Sequence, residues 1–265
     1  MELQIALVQM EIIEGEKNIN LTHVLNILKE LRNSEKNIDI VVFPELFTTG
    51  FSLEHVERDA EPILGNTIQK IIEISKGQFM VIGSILEADD GYYNTAFIIG
   101  KEGKVIGTYR KIHLFGPMKE KEYLKAGNAI KTFKCTGLED IRLGLAICYD
   151  LRFPELFRVL ALKGAQIVIV PSEFPNPKVD VWKTLLTTRA IENQFYIIGV
   201  NRVGIGANNS FFGNSLISNG NETVILGTQP TVKIFKIDLS TIDNIRDTLP
   251  LLKDRREDLY KFENI

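Results

Sequence analysis

The chain has 265 residues, 45% of them hydrophobic, which is enough to bury one large core, and a single α/β domain is ordinary at this size. Its 31 basic and 34 acidic side chains leave a formal net charge of -3, with no concentrated positive field for a phosphate backbone, so the balance argues against nucleic acid and for small solutes. Two cysteines, Cys135 and Cys148, and three histidines, His23, His55 and His113, supply neither a disulfide framework nor metal-ligand spacing, which fits a reducing cytoplasmic setting and no metal.

The opening MELQIALVQM carries an acid where a signal peptide has its basic region, and it reads as a first strand. No apolar stretch approaches the roughly 18–20 residues of a membrane helix, so a soluble protein is expected. Strand-length apolar runs then alternate with helix-period segments: a strand over 3–10, a helix over 20–32, a strand over 38–45 and a helix over 66–76. DDG (89–91) and KEGK (101–104) separate further strand-like runs and read as hairpin turns. The second half repeats the order. IRLGLAICYD is a predicted strand, PELFRVLALKG a helix closed by Gly164, QIVIVPSE a strand, VDVWKTLLTTRAIENQ a helix and FYIIGVNRV a strand. Hairpin-like FFGNSLISN, TVILG and VKIFKID follow. This α/β order predicts two mixed sheets packed together with helices on their outer faces, in one domain over 1–265. The charged 249–265 segment has apolar anchors, and is either a tail lying on a neighbouring subunit or a solvated terminus.

Three reactive side chains follow three apolar runs. Glu45 emerges after IVVFP, where the proline holds Phe43 extended, and is either a functional acid at a strand's carboxyl end or a cap on a loop amide. Lys111 lies in GTYRKIHLF, where alternation puts Tyr109, Lys111 and His113 on one strand face; it is a functional cation or a solvated edge-strand lysine. Cys148 ends LGLAI just before the PELFRVLALKG helix, a turn rich in free N–H groups that favours a thiolate and offers oxyanion donors; the alternative is an inert buried thiol. Cys135 has no such context and reads as structural. Together a base, a fixed cation and a soft nucleophile are the parts needed to attack a carbonyl and expel nitrogen. No G-x-S-x-G elbow, Walker A loop or H-E-x-x-H occurs, and VGIGANN does not complete G-x-G-x-x-G.

Through FPELFTTGFS (43–52), YRKIHLF (109–115) and AICYDLRFPEL (146–156), in that order, the sequence resembles the nitrilase superfamily of carbon–nitrogen hydrolases. The similarity continues through LLTTRAIENQFYIIGVNRVG (185–204) to LKDRREDLY (252–260). The resemblance implies a four-layer α-β-β-α sandwich, a homodimer or higher homo-oligomer, and a Glu–Lys–Cys triad falling on Glu45, Lys111 and Cys148. It also implies an accessory glutamate seven residues before Gly127, which is Glu120, although Lys119 and Lys121 depart from the usual flanks and Glu122 stands two residues away.

TTGFS, AIENQFYIIGVNRVG and KDRREDLY look most like the omega-amidase group, including 2-oxoglutaramate amidases. The implied reaction is hydrolysis of a small linear amide through a cysteine thioester, with the Tyr149 N–H beside Lys111 at the oxyanion and no cofactor required. N-carbamoyl amino-acid hydrolases and other aliphatic amidases share the triad. Arg152, Arg189 and Arg202 are candidates for a substrate carboxylate or for structural ion pairs, and Phe174 and Trp182 either wall the pocket or only pack. Two further readings stay open: a Cys148–His113 peptidase, and a binding subunit without turnover.

Overall fold

A computed structural model describes residues 1–135 and 141–260. The first half builds β1 (Glu2–Gln9), α1 (Lys17–Asn33), β2 (Ile40–Val42), α2 (Val56–Asp59), α3 (Asn66–Ser75), β3 (Met80–Ala88), β4 (Tyr92–Ile99), β5 (Val105–Arg110) and α4 (Glu120–Tyr123). The second builds β6 (Thr132–Cys135), β7 (Ile141–Leu145), α5 (Pro154–Leu162), β8 (Ile167–Ser172), α6 (Val179–Asn193) and β9 (Tyr196–Asn201). Short strands β10 (Val203–Ile205), β11 (Ser210–Phe212), β12 (Leu216–Ser218) and β13 (Thr223–Ile225) precede the long β14 (Thr231–Asp238) and α7 (Ser240–Thr248).

Two six-stranded mixed sheets result, ordered β14-β1-β2-β3-β4-β5 and β13-β12-β9-β8-β7-β6. Each has three parallel strands at its centre, β1, β2 and β3 in one and β7, β8 and β9 in the other, with antiparallel neighbours outside. Covered on both faces, the central strands are apolar at nearly every position. In β1, Ala6 and Val8 pack with Val24 and Leu28 of α1 and Ile68 and Ile71 of α3, whereas Leu3, Ile5 and Leu7 join the core that contains β7 to β9, α5 and α6. The layers are therefore helix, sheet, sheet, helix, the predicted four-layer sandwich. Gly199 keeps β9 close to α6, because a Cβ there would meet Trp182 at 2.8 Å and Leu186 at 2.6 Å. No helix among the described residues is long and apolar enough to cross a membrane.

Some predicted boundaries move. The strand expected over 38–45 keeps only Ile40–Val42, and the one expected to reach Cys148 stops at Leu145. FFGNSLISN divides into β11 and β12, because Gly213 (φ +65°) and Asn214 (φ +53°) turn left-handed between them. Helix α7 was not anticipated; Ile242 is its buried anchor. Of the predicted tail, Arg255 and Tyr260 share a cleft with Pro154, Arg158 and Leu162 of α5 in the same chain, and 261–265 lie outside the described residues.

Candidate active site

The carboxyl ends of the central parallel strands converge at one place, where ligands collect in open α/β sheets. Glu45 is the third residue past β2, Cys148 the third past β7, and Glu173 directly follows β8. The segment around Glu45 turns sharply, with Leu46 at φ +42° and its N–H held by Ser84 Oγ at 2.8 Å. Glu45 has no exposed surface. Its Oε1 accepts from Asn94 Nδ2 at 2.7 Å and Lys111 Nζ at 2.8 Å, and its Oε2 accepts the Glu173 N–H at 2.8 Å. Three donors fix the carboxylate in one orientation.

Lys111 follows the last residue of β5, so the strand alternation expected through His113 breaks off. Tyr109 and His113 do converge, on Asp150, but Lys111 turns to the glutamates instead. The Lys111 N–H donates to Asn94 O at 2.9 Å, and its carbonyl accepts from Gly127 N–H at 2.8 Å. Its Nζ lies 2.8 Å from Glu45 Oε1 and 2.8 Å from Glu120 Oε2. Burial lowers the lysine's proton affinity, but the Glu120 and Glu45 charges more than offset it and raise its pKa, so it stays an ammonium. Glu120 opens α4 after Lys119 (φ +60°) and is fully buried, its Oε2 taking the Phe115 N–H at 2.6 Å. Burial pushes its carboxyl up against the pull of Lys111. Glu122, the sequence rival, is exposed.

Cys148 begins a 3-10 turn, Cys148–Arg152, with φ +45°, a left-handed conformation that costs a non-glycine residue about 1–3 kcal/mol and persists only when neighbours enforce it. Asp150 is the enforcer. Buried, it accepts the Ile147 N–H at 2.9 Å, the Tyr109 hydroxyl at 2.7 Å and the His113 N–H at 3.1 Å. His113 Nδ1 also lies 2.7 Å from Asp150, and its ring stacks on Phe153 at 3.6 Å, so this histidine braces the turn and is not placed as the thiol's base. The expected thiolate-favouring environment is reversed. Burial, then the adjacent Glu45 charge, hold the Cys148 thiol well above its usual range despite Lys111. The thiol rests protonated beside a carboxylate that can take its proton. Cys135 is fully buried, its thiol pushed up to about 12 by burial alone.

A small cavity opens over Cys148, walled by Phe115, Tyr149, Arg152, Glu173, Phe174 and Lys178. Of the three candidate arginines only Arg152 lines it, with its guanidinium 5.5 Å from the Phe174 ring centre. Arg189 donates to the Leu151 carbonyl and to Glu192, and Arg202 is buried against Glu173 at 2.7 Å and the Ile12 carbonyl. Phe174 is wall; Trp182 backs it at 5.3 Å with its Nε1–H on Asn214 O. Sequence reasoning missed Asn94, which also reaches Glu120 at 3.2 Å, together with Asp150, Glu173 and Lys178. The acid two residues past Cys148 and the acid directly after QIVIVPS were visible signals; Asn94 left none.

The carbon–nitrogen hydrolase family model matches residues 4–247, a span that contains Glu45, Lys111, Glu120 and Cys148. The chain is 35% identical over 270 residues to the 2-oxoglutaramate amidase of Bacillus subtilis (strain 168), covering 98% of this chain and all 100% of that protein. It is 31% identical to the omega-amidase NIT2 of Homo sapiens, over 98% of this chain and 97% of the relative. The crystal structure of Saccharomyces cerevisiae Nit3, a member of branch 10 of the nitrilase superfamily, matches with a TM-score of 0.87 at 27% identity, over 96% of this chain and 97% of that one. Shared sequence along nearly the whole length and a common sandwich lead to one conclusion: the chain belongs to the carbon–nitrogen hydrolase family of the nitrilase superfamily.

Proposed function

We propose that this hydrolase cleaves the omega-amide of a 2-oxo dicarboxylic acid, releasing ammonia through a thioester on Cys148. The observation that carries the choice of an anionic amide is Arg152, a cation on the wall of the cysteine's cavity with no carboxylate partner among the described residues. An uncompensated guanidinium beside apolar rings suits a carboxylate at the far end of a short amide. The likeness to a 2-oxoglutaramate amidase and to an omega-amidase supports the same reading.

In this mechanism Glu45 takes the thiol proton as the Cys148 sulfur bonds to the amide carbon. The carbonyl electrons move to oxygen, and the oxyanion is held by Lys111 Nζ and the Tyr149 N–H. An ammonium has three N–H donors; Glu45 and Glu120 engage two, leaving one for the oxyanion. The Tyr149 N–H belongs to the first turn of Cys148–Arg152, where a helical turn leaves donors without internal partners. Collapse of the intermediate breaks the C–N bond while Glu45 returns its proton to the departing nitrogen as ammonia. Water, deprotonated by Glu45, then attacks the thioester, and the thiol leaves with that proton. Glu120 acts by holding Lys111.

Ammonia release across a panel tests this: 2-oxo acid omega-amides, uncharged carboxamides, N-carbamoyl amino acids and nitriles. The 2-oxo acid amides should give the highest kcat/KM. Arg152→Leu should raise KM for the anionic amide by about tenfold or more while leaving an uncharged amide nearly unchanged. A preference for N-carbamoyl amino acids would move the substrate to that class, and equal losses on charged and uncharged amides would remove Arg152 from carboxylate binding.

A further inference from the structure

Lys178 is the second cation on the cavity wall, half-buried, with its Nζ 5.4 Å from the centre of the Phe115 ring. Among the described residues it too has no acidic partner. Its place is locally unfavourable, because it immediately precedes α6 and makes no side-chain capping bond there. A cation at a helix N-terminus meets the positive end of the helix dipole, where an aspartate, serine or asparagine would stabilise the fold. Glu173, on the same wall, is already committed to Arg202 at 2.7 Å and does not neutralise Lys178. The fold therefore carries a half-buried positive charge, without an acidic partner among the described residues, that makes no capping bond to the helix and lines the cavity over Cys148.

We propose that Lys178 is a specificity-determining residue that reads the C2 substituent of the substrate; this rests on the 2-oxo acid amide reading above. With the carboxylate held by Arg152, the neighbouring C2 position falls to the second cation of the same small cavity. A C2 oxo group offers an acceptor to the ammonium. The corresponding amino-acid amide offers a C2 ammonium, which Lys178 repels at the short range that a small cavity imposes. Discrimination against the amino acid is thus built as an unfavourable contact and not only as a favourable one to the oxo acid.

The experiment compares 2-oxoglutaramate, glutaramate (a methylene at C2) and L-glutamine on the wild type, Lys178→Met and Lys178→Arg. Lys178→Met should raise KM for 2-oxoglutaramate by about tenfold with kcat within about twofold, and change glutaramate by only a few-fold. Its kcat/KM for L-glutamine should rise, so that the oxo-to-amino ratio falls by about tenfold or more, and Lys178→Arg should restore the ratio. Removing the charge should leave the thermal midpoint equal or slightly higher, since it relieves the end of α6. A Lys178→Met variant that lowers all three substrates by one factor, or keeps the oxo-to-amino ratio, overturns the role of Lys178 alone. A wild type that prefers glutaramate or L-glutamine over 2-oxoglutaramate overturns the 2-oxo acid reading and this inference with it.

Discussion

Glu45 and Lys111 form a 2.8 Å ion pair in which neither side chain has any exposed surface, although 66 residues of sequence separate them. The pair is one half of a buried Glu45–Lys111–Glu120 cluster, in which the single ammonium bridges two carboxyl groups. Lys111→Met would delete the proposed oxyanion donor and leave two buried carboxyl groups facing each other. Turnover should fall by about 10²–10³, and stability by about 3–5 kcal/mol, read as ammonia release and urea unfolding. Adding Glu120→Gln should recover part of the stability and none of the turnover. Activity within a few-fold of wild type would remove the lysine from oxyanion stabilisation.

Glu45→Gln separates the two effects of this carboxylate on Cys148. After burial, the charge of Glu45 is the next cause that keeps the thiol protonated, while its basicity is what the proposed mechanism uses. Replacing it by the neutral isostere should make Cys148 react faster with iodoacetamide at pH 7 and lower ammonia release by about 10² or more. Peptide mapping should find the label on Cys148 and not on the fully buried Cys135. Slower alkylation in the variant would mean that Glu45 promotes the thiolate at rest.

The sandwich was legible because its central strands and helices are long and strongly patterned, as in the buried Val24, Ile27 and Leu28 stripe of α1. Glu45, Lys111 and Cys148 stood out because polar groups broke off apolar runs. What periodicity conceals is where a strand stops: β5 and β7 end before the residues of interest, and the side chains are then aimed by turns instead of pleats. The direction of the Cys148 shift was concealed too, since it comes first from burial and then from Glu45, which lies 103 positions earlier (148 − 45) and adjoins it only in the fold. Asn94 holds Glu45 across 49 residues, and Asp150, which braces the Cys148 turn, takes the Tyr109 hydroxyl across 41, distances at which one sequence carries no pairing signal.

Gly127→Ala tests how tightly the Lys111 segment is clamped. A Cβ at this position would stand 2.1 Å from the Arg110 carbonyl oxygen, a backbone atom that cannot swing aside as a side chain would. The Gly127 N–H also holds the Lys111 carbonyl, so the added methyl must displace the lysine's own backbone. Misplacement of about 1 Å in a catalytic group costs about 10² in rate. Steady-state kinetics on an anionic amide should show kcat lower by about that factor and KM nearly unchanged, because Arg152 is untouched. An unaltered kcat would show that the segment tolerates the shift.

Glu173 makes stability depend on pH. Burial pushes its carboxyl up from an ordinary 4.5 to about 8, against the pull of the Arg202 guanidinium and with the Glu45 charge adding to the rise. Between those two values the folded chain holds a proton that the unfolded chain has released, so this group's stabilising contribution is complete below 4.5 and is lost as the pH climbs through about 8. One proton sets a ceiling of about 1.4 kcal/mol per pH unit on the slope. Glu173→Gln keeps the shape and abolishes the titration, while every other group is common to both proteins. Urea unfolding at pH 6 and pH 9 should therefore show wild type losing more stability across the interval than the variant does, whatever the variant's absolute cost from weakening the contact to Arg202, which keeps Glu14 at 3.5 Å. Parallel losses would place the Glu173 carboxyl in the ordinary range, ionised and paired with Arg202 throughout.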